Sequence, residues 1–415
     1  MPGAEKEFAM ENFFKKALKE ALAMQDWLID TRRTLHRIPE PGNEEIKTSQ
    51  AICAQLDALG ISYTRIGTGV VGLLEGARSG RCIALRADMD ALPIEEPQDR
   101  PYASQHPGYM HACGHDAHMT IALGAAKLVA RHRHEFSGSI KFLFQPAEET
   151  IGGARPMIEA GCLENPHVDF VLGLHVIPEL PAGQIEVKPG PFYGASDNLE
   201  IRIKGKSSHA AYPEQGIDAI VVASAVVQAL QTIVSRSISA LDSAVVTIGK
   251  IQGGTRSNII ASEVVLTGTI RTLSEQVRKF IGARVEEVCA RTAAAYGASS
   301  EVHISPSYPV LVNDEAATEF VRQTAIEVLG APNVHLRQKP TLGVEDFAYY
   351  LRERPGAFWH LGCGKRPPLA ADSVGSIPAG ATTALHSPDF DIDESCLPIG
   401  VALQAATAMR WLLTI

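Results

Sequence analysis

Three apolar runs in the first half of the chain each end in a cluster of polar residues, and that repetition limits the possible folds more than any other feature. Cys82-Ile-Ala-Leu-Arg86 leads into Asp88-Met-Asp90, Ile140-Lys-Phe-Leu-Phe144 into Glu148-Glu149, and Phe170-Val-Leu-Gly-Leu174 into His175. Runs of this length and make-up read as buried strands of a parallel sheet. In open α/β sheets, sites form outside the carboxyl ends of the strands, so the three clusters point to one shared edge.

Around those strands the spacing predicts helices. Phe13, Phe14, Leu18, Leu22, Trp27 and Leu28 suggest one helix over 11–37, stopped by Pro39 and Pro41. A second helix over 44–59 ends at Gly60, and a third runs over 116–131 with Asp116 as its N-cap. Gly67-Thr-Gly-Val-Val-Gly72 fits the GxGxxG pattern but leads into a strand-like stretch, so it reads as a hairpin turn.

At 415 residues the chain exceeds a single core and divides in two. Pro189-Gly-Pro-Phe-Tyr-Gly194 reads as a linker. After it come strands over 198–204, 244–251, 264–272 and 301–304, with helices over 217–235 and 274–296. That βαββαβ order is the ferredoxin-like split unit. Ser305-Pro-Ser-Tyr-Pro309 forms a second linker. Residues 191–308 are therefore expected as an insert in a discontinuous domain of 1–190 and 309–415.

Hydrophobic residues make up 45% and charged residues 20%, as in an ordinary globular protein. A net charge of −9 argues against nucleic acid as a partner. No uninterrupted apolar stretch reaches a membrane span, and Met1-Pro-Gly-Ala-Glu-Lys-Glu is unlike a secretory signal. Seven scattered cysteines suit free thiols in a reducing compartment, so a cytoplasmic location is expected.

The chemistry concentrates in His111-Ala-Cys-Gly-His-Asp-Ala-His118 and Gln145-Pro-Ala-Glu-Glu149. Cys113 and His115 are two apart, so they share no helix face and converge on one ion only from a loop. With His175, Glu149 and His386 also at strand ends or in polar loops, the set reads as a metal site. His111 and His118 flank it in supporting roles. Side chains diverge at a strand terminus, so Glu149 can ligate while Glu148 faces a bound water and moves its proton. Asp88 and Asp90 point the same way and either orients an imidazole or balances charge. His209 lies on a loop of the insert, while Asn258 and Arg271 could offer donors to an anion. A GxSxG nucleophile elbow is absent.

MHACGHDAH, QPAEE, LGLHV, KSSHAAYPEQGIDAI, GVEDF (Gly343–Phe347) and LHSPDF (Leu385–Phe390) together resemble the metallo-amidohydrolases. That family includes hippurate hydrolase, auxin-conjugate hydrolases and N-acyl-amino-acid deacylases, within the aminoacylase and metallocarboxypeptidase superfamily. The resemblance implies a zinc-exopeptidase-like catalytic domain, with a mixed sheet flanked by helices, and an inserted ferredoxin-like lid that often dimerises. It implies two divalent ions (Zn, Mn, Co or Ni) on Cys113, His115, Glu149, His175 and His386, with Glu148 as general base and acid. His209 would polarise the scissile carbonyl, frequently from a partner subunit, and Asn258 and Arg271 would hold the substrate carboxylate. Where the superfamily usually has His-x-Asp, this chain has Asp88-Met-Asp90, which weakens any ligand role for Asp88.

The expectation is an enzyme that hydrolyses the amide of N-acyl or N-aroyl amino acids, acting as a homodimer or higher homo-oligomer on a small substrate, away from membranes. A dipeptidase or carboxypeptidase on the same site is the alternative within enzymes, and it requires a site for a free α-amine. A non-catalytic metal or ligand binder is the alternative outside them, and it gives no reason for the Glu148-Glu149 pair.

Overall fold

The computed structural model describes residues 13, 14, 16–364 and 384–414. The described residues form two compact units. The first takes those up to Gly190, Asn313–Gln338 and those from Tyr349 onward; the second takes Pro191–Val312 and Lys339–Ala348. Of the described residues in 309–415, Pro309–Val312 and Lys339–Ala348 thus go with the second unit, and Lys339–Ala348 is the piece that the sequence did not single out as part of the insert. It is tied to the second unit by Thr341 N–H donating to Phe192 O (3.0 Å), Gly194 N–H to Gly343 O (2.8 Å) and Arg271 Nη1 to Leu342 O (3.1 Å).

In the first unit, β1 (Ser62–Ile66), β2 (Gly69–Glu75), β3 (Cys82–Asp88), β4 (Ser139–Gln145), β5 (Phe170–Pro181), β6 (Ile185–Val187), β13 (Val334–Leu336) and β14 (Gly356–Gly364) form one mixed sheet. Its order is β1-β2-β4-β3-β5-β14-β6-β13. The inner strands β4, β3, β5 and β14 run parallel, while β1 and β2 add antiparallel at one side. Leu85, Phe142, Leu172 and Trp359 share a core with Leu28, Ile121 and Val401 of three helices. Intervening positions turn to the other face, which carries Arg86, Asp88, Gln145, His175 and His360. Gly173 stands opposite Arg86 in the ladder, so no side chain competes with the guanidinium there.

The N-terminal helix differs from its expected form. Of 11–37, residues 11, 12 and 15 lie outside those described, and a turn at Ala23–Met24 interrupts the rest before a helix at Gln25–His36. Met24 N–H bonds to Ala21 O at 3.0 Å, a tighter step than the α-helical one. Phe14, Ala17, Ala21, Met24 and Leu28 all stay buried across the break. Asp116 is no N-cap either: the helix is His115–Arg131, with Gly114 (φ +83°) at the cap, and Asp116 sits inside the first turn. Its carboxylate is taken by Arg32 and His36, which a cap could not satisfy.

The second unit holds β8 (Ala195–Lys204), β9 (Ala244–Gly253), β10 (Glu263–Thr272) and β11 (Ser299–Pro306), all antiparallel in the order β11-β8-β10-β9. Helices Ala219–Thr232 and Glu275–Ala295 complete the βαββαβ arrangement. Their buried residues Val226, Leu230, Ile281 and Val285 form a separate core with Ile201 and Leu266. Neither expected linker is plain coil. β7 (Gly190–Tyr193) pairs with β12 (Leu311–Asn313), and β11 runs through Pro306. Proline is tolerated where a strand leaves its N–H unpaired, so Pro191 does not prevent pairing.

Two helical stretches, Ala219–Ser237 and Cys396–Leu413, have the length and mean hydropathy of membrane spans, although polar residues such as Gln228, Gln231 and Gln404 interrupt them. Most of Cys396–Leu413 is buried in the first unit's core, and Ala219–Thr232 packs its Val222, Val226 and Leu230 face into the core of the second. Core helices pass such a test because burial selects the same residues as lipid does.

Candidate metal centre

Every residue of the centre comes from the first unit. Cys113 sits in the tight turn before helix His115–Arg131, where the left-handed Gly114 brings Cys113 and His115 to one side; a Cβ at Gly114 would stand 2.4 Å from Val176 Cγ2. His115 is thus the first helical residue and not part of the preceding loop. Glu148 and Glu149 follow β4 after Ala147, itself left-handed at φ +57°. His175 lies within β5, and His386 adopts φ +63° with its N–H donating to Ala112 O at 2.9 Å.

Cys113 Sγ lies 3.3 Å from His175 Nε2 and 3.3 Å from His386 Nε2. His386 Nε2 is 3.1 Å from Glu149 Oε1, and His115 Nε2 is 3.9 Å from the same oxygen. Three triads, Cys113/His115/His175, Cys113/Glu149/His386 and His115/Glu148/Glu149, each keep their ligand-type atoms within 4.8 Å of one another. Cys113 is common to the first two. His115 Nε2 and Glu149 Oε1 are buried without a hydrogen-bond partner, the His386 contact lacking the necessary alignment. Orphaned donor atoms around a thiol, imidazoles and carboxylates fit divalent transition ions.

The electrostatics agree with that fit. Burial opposes charge on His115, but Asp88, Asp90 and Glu149 outweigh it and push its pKa up to about 10. Burial raises the Cys113 thiol well above its usual range, and Glu149 and Glu148 add to the effect. Burial holds His175 neutral. A site that keeps protons on a thiol and an imidazole among several carboxylates exchanges them for a cation.

A further triad, Asp88/His115/His118, also has its ligand atoms close together. Two of its members, Asp88 and His118, are already engaged. Asp88 Oδ1 is 2.6 Å from His118 Nδ1, Asp88 Oδ2 accepts from Arg86 Nη1 at 2.8 Å, and His118 Nε2 accepts the Val176 N–H at 2.9 Å. Asp88 and His118 thus hold one another and the Val176 backbone beside the centre. His111 is buried with neither ring nitrogen bonded, and burial lowers its pKa to about 3.

His209, Asn258 and Arg271 belong to the second unit. The loops of the first two meet there: His209 bridges to Ile259, and Ala210 N–H donates to Asn258 O at 3.0 Å. Arg271 lies on β10 and donates to Leu342 O at 3.1 Å.

Asp90, one of the two carboxylates expected to orient an imidazole or balance charge, supports the turn that carries both glutamates. A second supporting group, Arg32 with His36, has no counterpart in the sequence analysis. Asp90 accepts the Glu148 and Glu149 N–H groups, and its backbone O lies 2.8 Å from His115 Nδ1. Arg32 and His36 meet Asp116 in a fully buried network that also includes Glu96. Arg32 and His36, four apart on the apolar face of their helix, were the available signal.

The sequence from 84 to 410 matches the description of Peptidase family M20/M25/M40. The chain is 43% identical over 376 residues to the N-acetyl-L-cysteine deacetylase of Bacillus subtilis, covering 90% of this chain and 85% of the relative. It is 40% identical over 396 residues to the IAA-amino acid hydrolase ILR1-like 4 of Arabidopsis thaliana, covering 94% and 86%. Among solved structures it is similar to the Bacillus subtilis YXEP protein, described as a dinuclear metal-binding peptidase of the M20 family. That likeness has a TM-score of 0.80 and 35% identity, over 95% of this chain and 99% of the other. This protein belongs to Peptidase family M20/M25/M40.

Proposed function

We propose that this protein is a metal-dependent amidohydrolase that splits N-acyl or N-aroyl amino acids into a carboxylic acid and a free amino acid. One observation carries the reading: Cys113 is shared by two triads of ligand-type atoms, with the Glu148 carboxylate in a third. The relatives named for IAA–amino acid conjugates and for N-acetyl-L-cysteine act on one kind of bond, an amide between an acyl group and an amino acid.

Cys113, His115, Glu149, His175 and His386 would hold two divalent ions, with Zn, Mn, Co and Ni all compatible with sulfur, nitrogen and oxygen donors. When bound, such ions polarise a carbonyl and make a coordinated water acidic enough to attack near neutral pH. Glu148 takes the proton of the attacking water and delivers it to the leaving amine. His209 donates to the carbonyl oxygen as charge develops there, and Asn258 and Arg271 hold the substrate carboxylate.

The second unit is the lid and dimerisation domain in this reading. β9 is an edge strand, and Ile251 on it and Ile220 and Val221 on the adjoining helix are exposed, a surface suited to a second copy of the chain. All seven cysteines are free and buried, which suits the cytoplasm.

The test is amine release from a panel of N-acetyl and N-benzoyl amino acids, with the protein stripped by chelator and reconstituted with each metal. Release that depends on added metal is expected. Metal uptake without release from any substrate would leave a binding protein instead.

A further inference from the structure

Three consecutive backbone N–H groups lead into the paired glutamates, and each is held by a buried carboxylate from elsewhere in the chain. Ala147 N–H donates to Glu45 Oε1 at 2.9 Å, Glu148 N–H to Asp90 Oδ1 at 3.0 Å and Glu149 N–H to Asp90 Oδ2 at 2.9 Å. Glu45 is 0% and Asp90 1% exposed. Successive N–H groups gathered on anions form a backbone nest, and here the anions are the protein's own.

We propose that Glu45, acting with Asp90, is a positioning residue that sets the backbone of Ala147–Glu149 and so the aim of both glutamate side chains. The inference rests on the assignment of Glu148 as base and Glu149 as ligand. Ala147 stays in the left-handed region only because its surroundings hold it there, and its N–H is the one that Glu45 takes. The other oxygen of Glu45 accepts from Thr68 Oγ1 at 2.6 Å, which fixes the carboxylate in its plane.

A second, independent feature seats the Glu45 segment against the same turn. A Cβ at Gly42 would stand 2.5 Å from Thr150 Oγ1 and 2.9 Å from Ala147 Cα, so only glycine lets the two backbones lie this close. Ala91 N–H donates to Glu40 O at 2.9 Å, tying the segment to the stretch that carries Asp90. Segments 40–45, 90–91 and 147–150 therefore interlock through main chain and carboxylates. Burying two carboxylates beside Glu148 and Glu149 is unfavourable by itself, and the N–H dipoles offset it. Losing one holder lets the turn relax, and a shift of about 1 Å at a reacting group costs on the order of 10²-fold in rate.

The full-length protein with Glu45→Ala is compared with Leu56→Ala, which truncates a buried side chain in the helix that follows Glu45 and leaves these hydrogen bonds intact. Both variants lower the unfolding temperature. Only Glu45→Ala is expected to lower kcat, by about 10- to 100-fold with little change in KM, to shift the acid limb of the kcat–pH profile, and to release metal faster to a chelator. Glu45→Gln keeps an acceptor for Ala147 N–H and should recover most of the loss. If Glu45→Ala does not fold, Glu45→Asp, which withdraws the carboxylate by one methylene, takes its place. Kinetics and metal retention matching Leu56→Ala would overturn the proposal. Glu148→Gln run alongside separates the two ideas: activity retained there removes the base assignment, while activity lost there with an unaffected Glu45→Ala removes the positioning role.

Discussion

His118 Nδ1 sits 2.6 Å from Asp88 Oδ1, and neither residue reaches solvent. The opposite ring nitrogen accepts the Val176 N–H at 2.9 Å, so the proton is on Nδ1 and no lone pair remains for a metal. The Val176 carbonyl in turn lies 2.7 Å from His175 Nδ1, which leaves His175 Nε2 directed at Cys113. A chain of contacts therefore runs from Arg86 through Asp88 and His118 to the His175–Val176 peptide.

From this follows a separation of stoichiometry from affinity. His118→Phe should bind as many metal ions at saturation as the wild type but release them faster, since an outer partner of a ligand typically contributes 10- to 100-fold in metal affinity. Elemental analysis at saturating metal, followed by a chelator time course, tests it. A missing equivalent at saturation would make His118 itself a ligand.

Cys113→Ser is expected to weaken metal retention more than it alters the fold, because a neutral hydroxyl replaces a thiolate in two of the ligand triads. Dialysis against a mild chelator, then elemental analysis, gives the readout, with far-UV circular dichroism to show an unchanged fold. Full occupancy in this variant would return Cys113 to the role of a buried apolar side chain.

The buried network around Asp116 predicts a pH dependence of stability. Burial opposes a charge on His36, but Asp116 and hydrogen bonds to Asp116 and Glu96 raise its pKa above 6.5. Above 6.5 the folded state holds a proton that the unfolded state has released. The contribution is therefore complete below 6.5 and lost as pH rises through the folded value. The difference in unfolding free energy between wild type and His36→Gln should shrink over that rise, by at most about 1.4 kcal/mol per pH unit for one proton. Chemical denaturation across the range measures it. A difference that stays flat above 6.5 would mean that His36 is neutral in the fold.

The adjacency of the centre was legible in sequence because Glu149 follows β4, Cys113 and His115 flank a glycine turn, and His175 closes the apolar run Phe170–Leu174, although β5 itself continues to Pro181. Cys113, Glu149 and His175 could be grouped for that reason alone. What stayed hidden depends on pairings across long separations. Asp90 meets Glu148 from 58 residues away, and Glu45 meets Ala147 from 102. Nothing in a local pattern distinguishes Glu45 from a solvated helix-start glutamate. Asp116 shows the converse error: an Asp opening a helix reads as a cap, yet Arg32, 84 residues earlier, places a buried guanidinium on it. The linkers misled in a similar way, since Gly190–Tyr193 carries proline and glycine but finds a partner strand in Leu311–Asn313.

The second unit supplies the last prediction. His209 is on a loop bridged to Ile259, next to Asn258, and none of the first unit's ligand triads includes it. His209→Ala should leave metal content unchanged and lower kcat and kcat/KM together, the pattern of an interaction made mainly in the transition state. Loss of one donor to a developing oxyanion costs on the order of 10²- to 10³-fold. Where His209 of one subunit serves the centre of its partner, mixing Glu148→Gln chains with His209→Ala chains restores activity, since each mixed dimer then holds one centre with both residues intact. Recovery in that arrangement reaches at most about a quarter of the wild-type rate per centre when the two chains pair at random. Mixed dimers shown to form yet lacking recovery would place both residues in one subunit. An unchanged kcat in the single His209 variant would end its role in the reaction, and carbonyl polarisation would then fall to the metal ions alone.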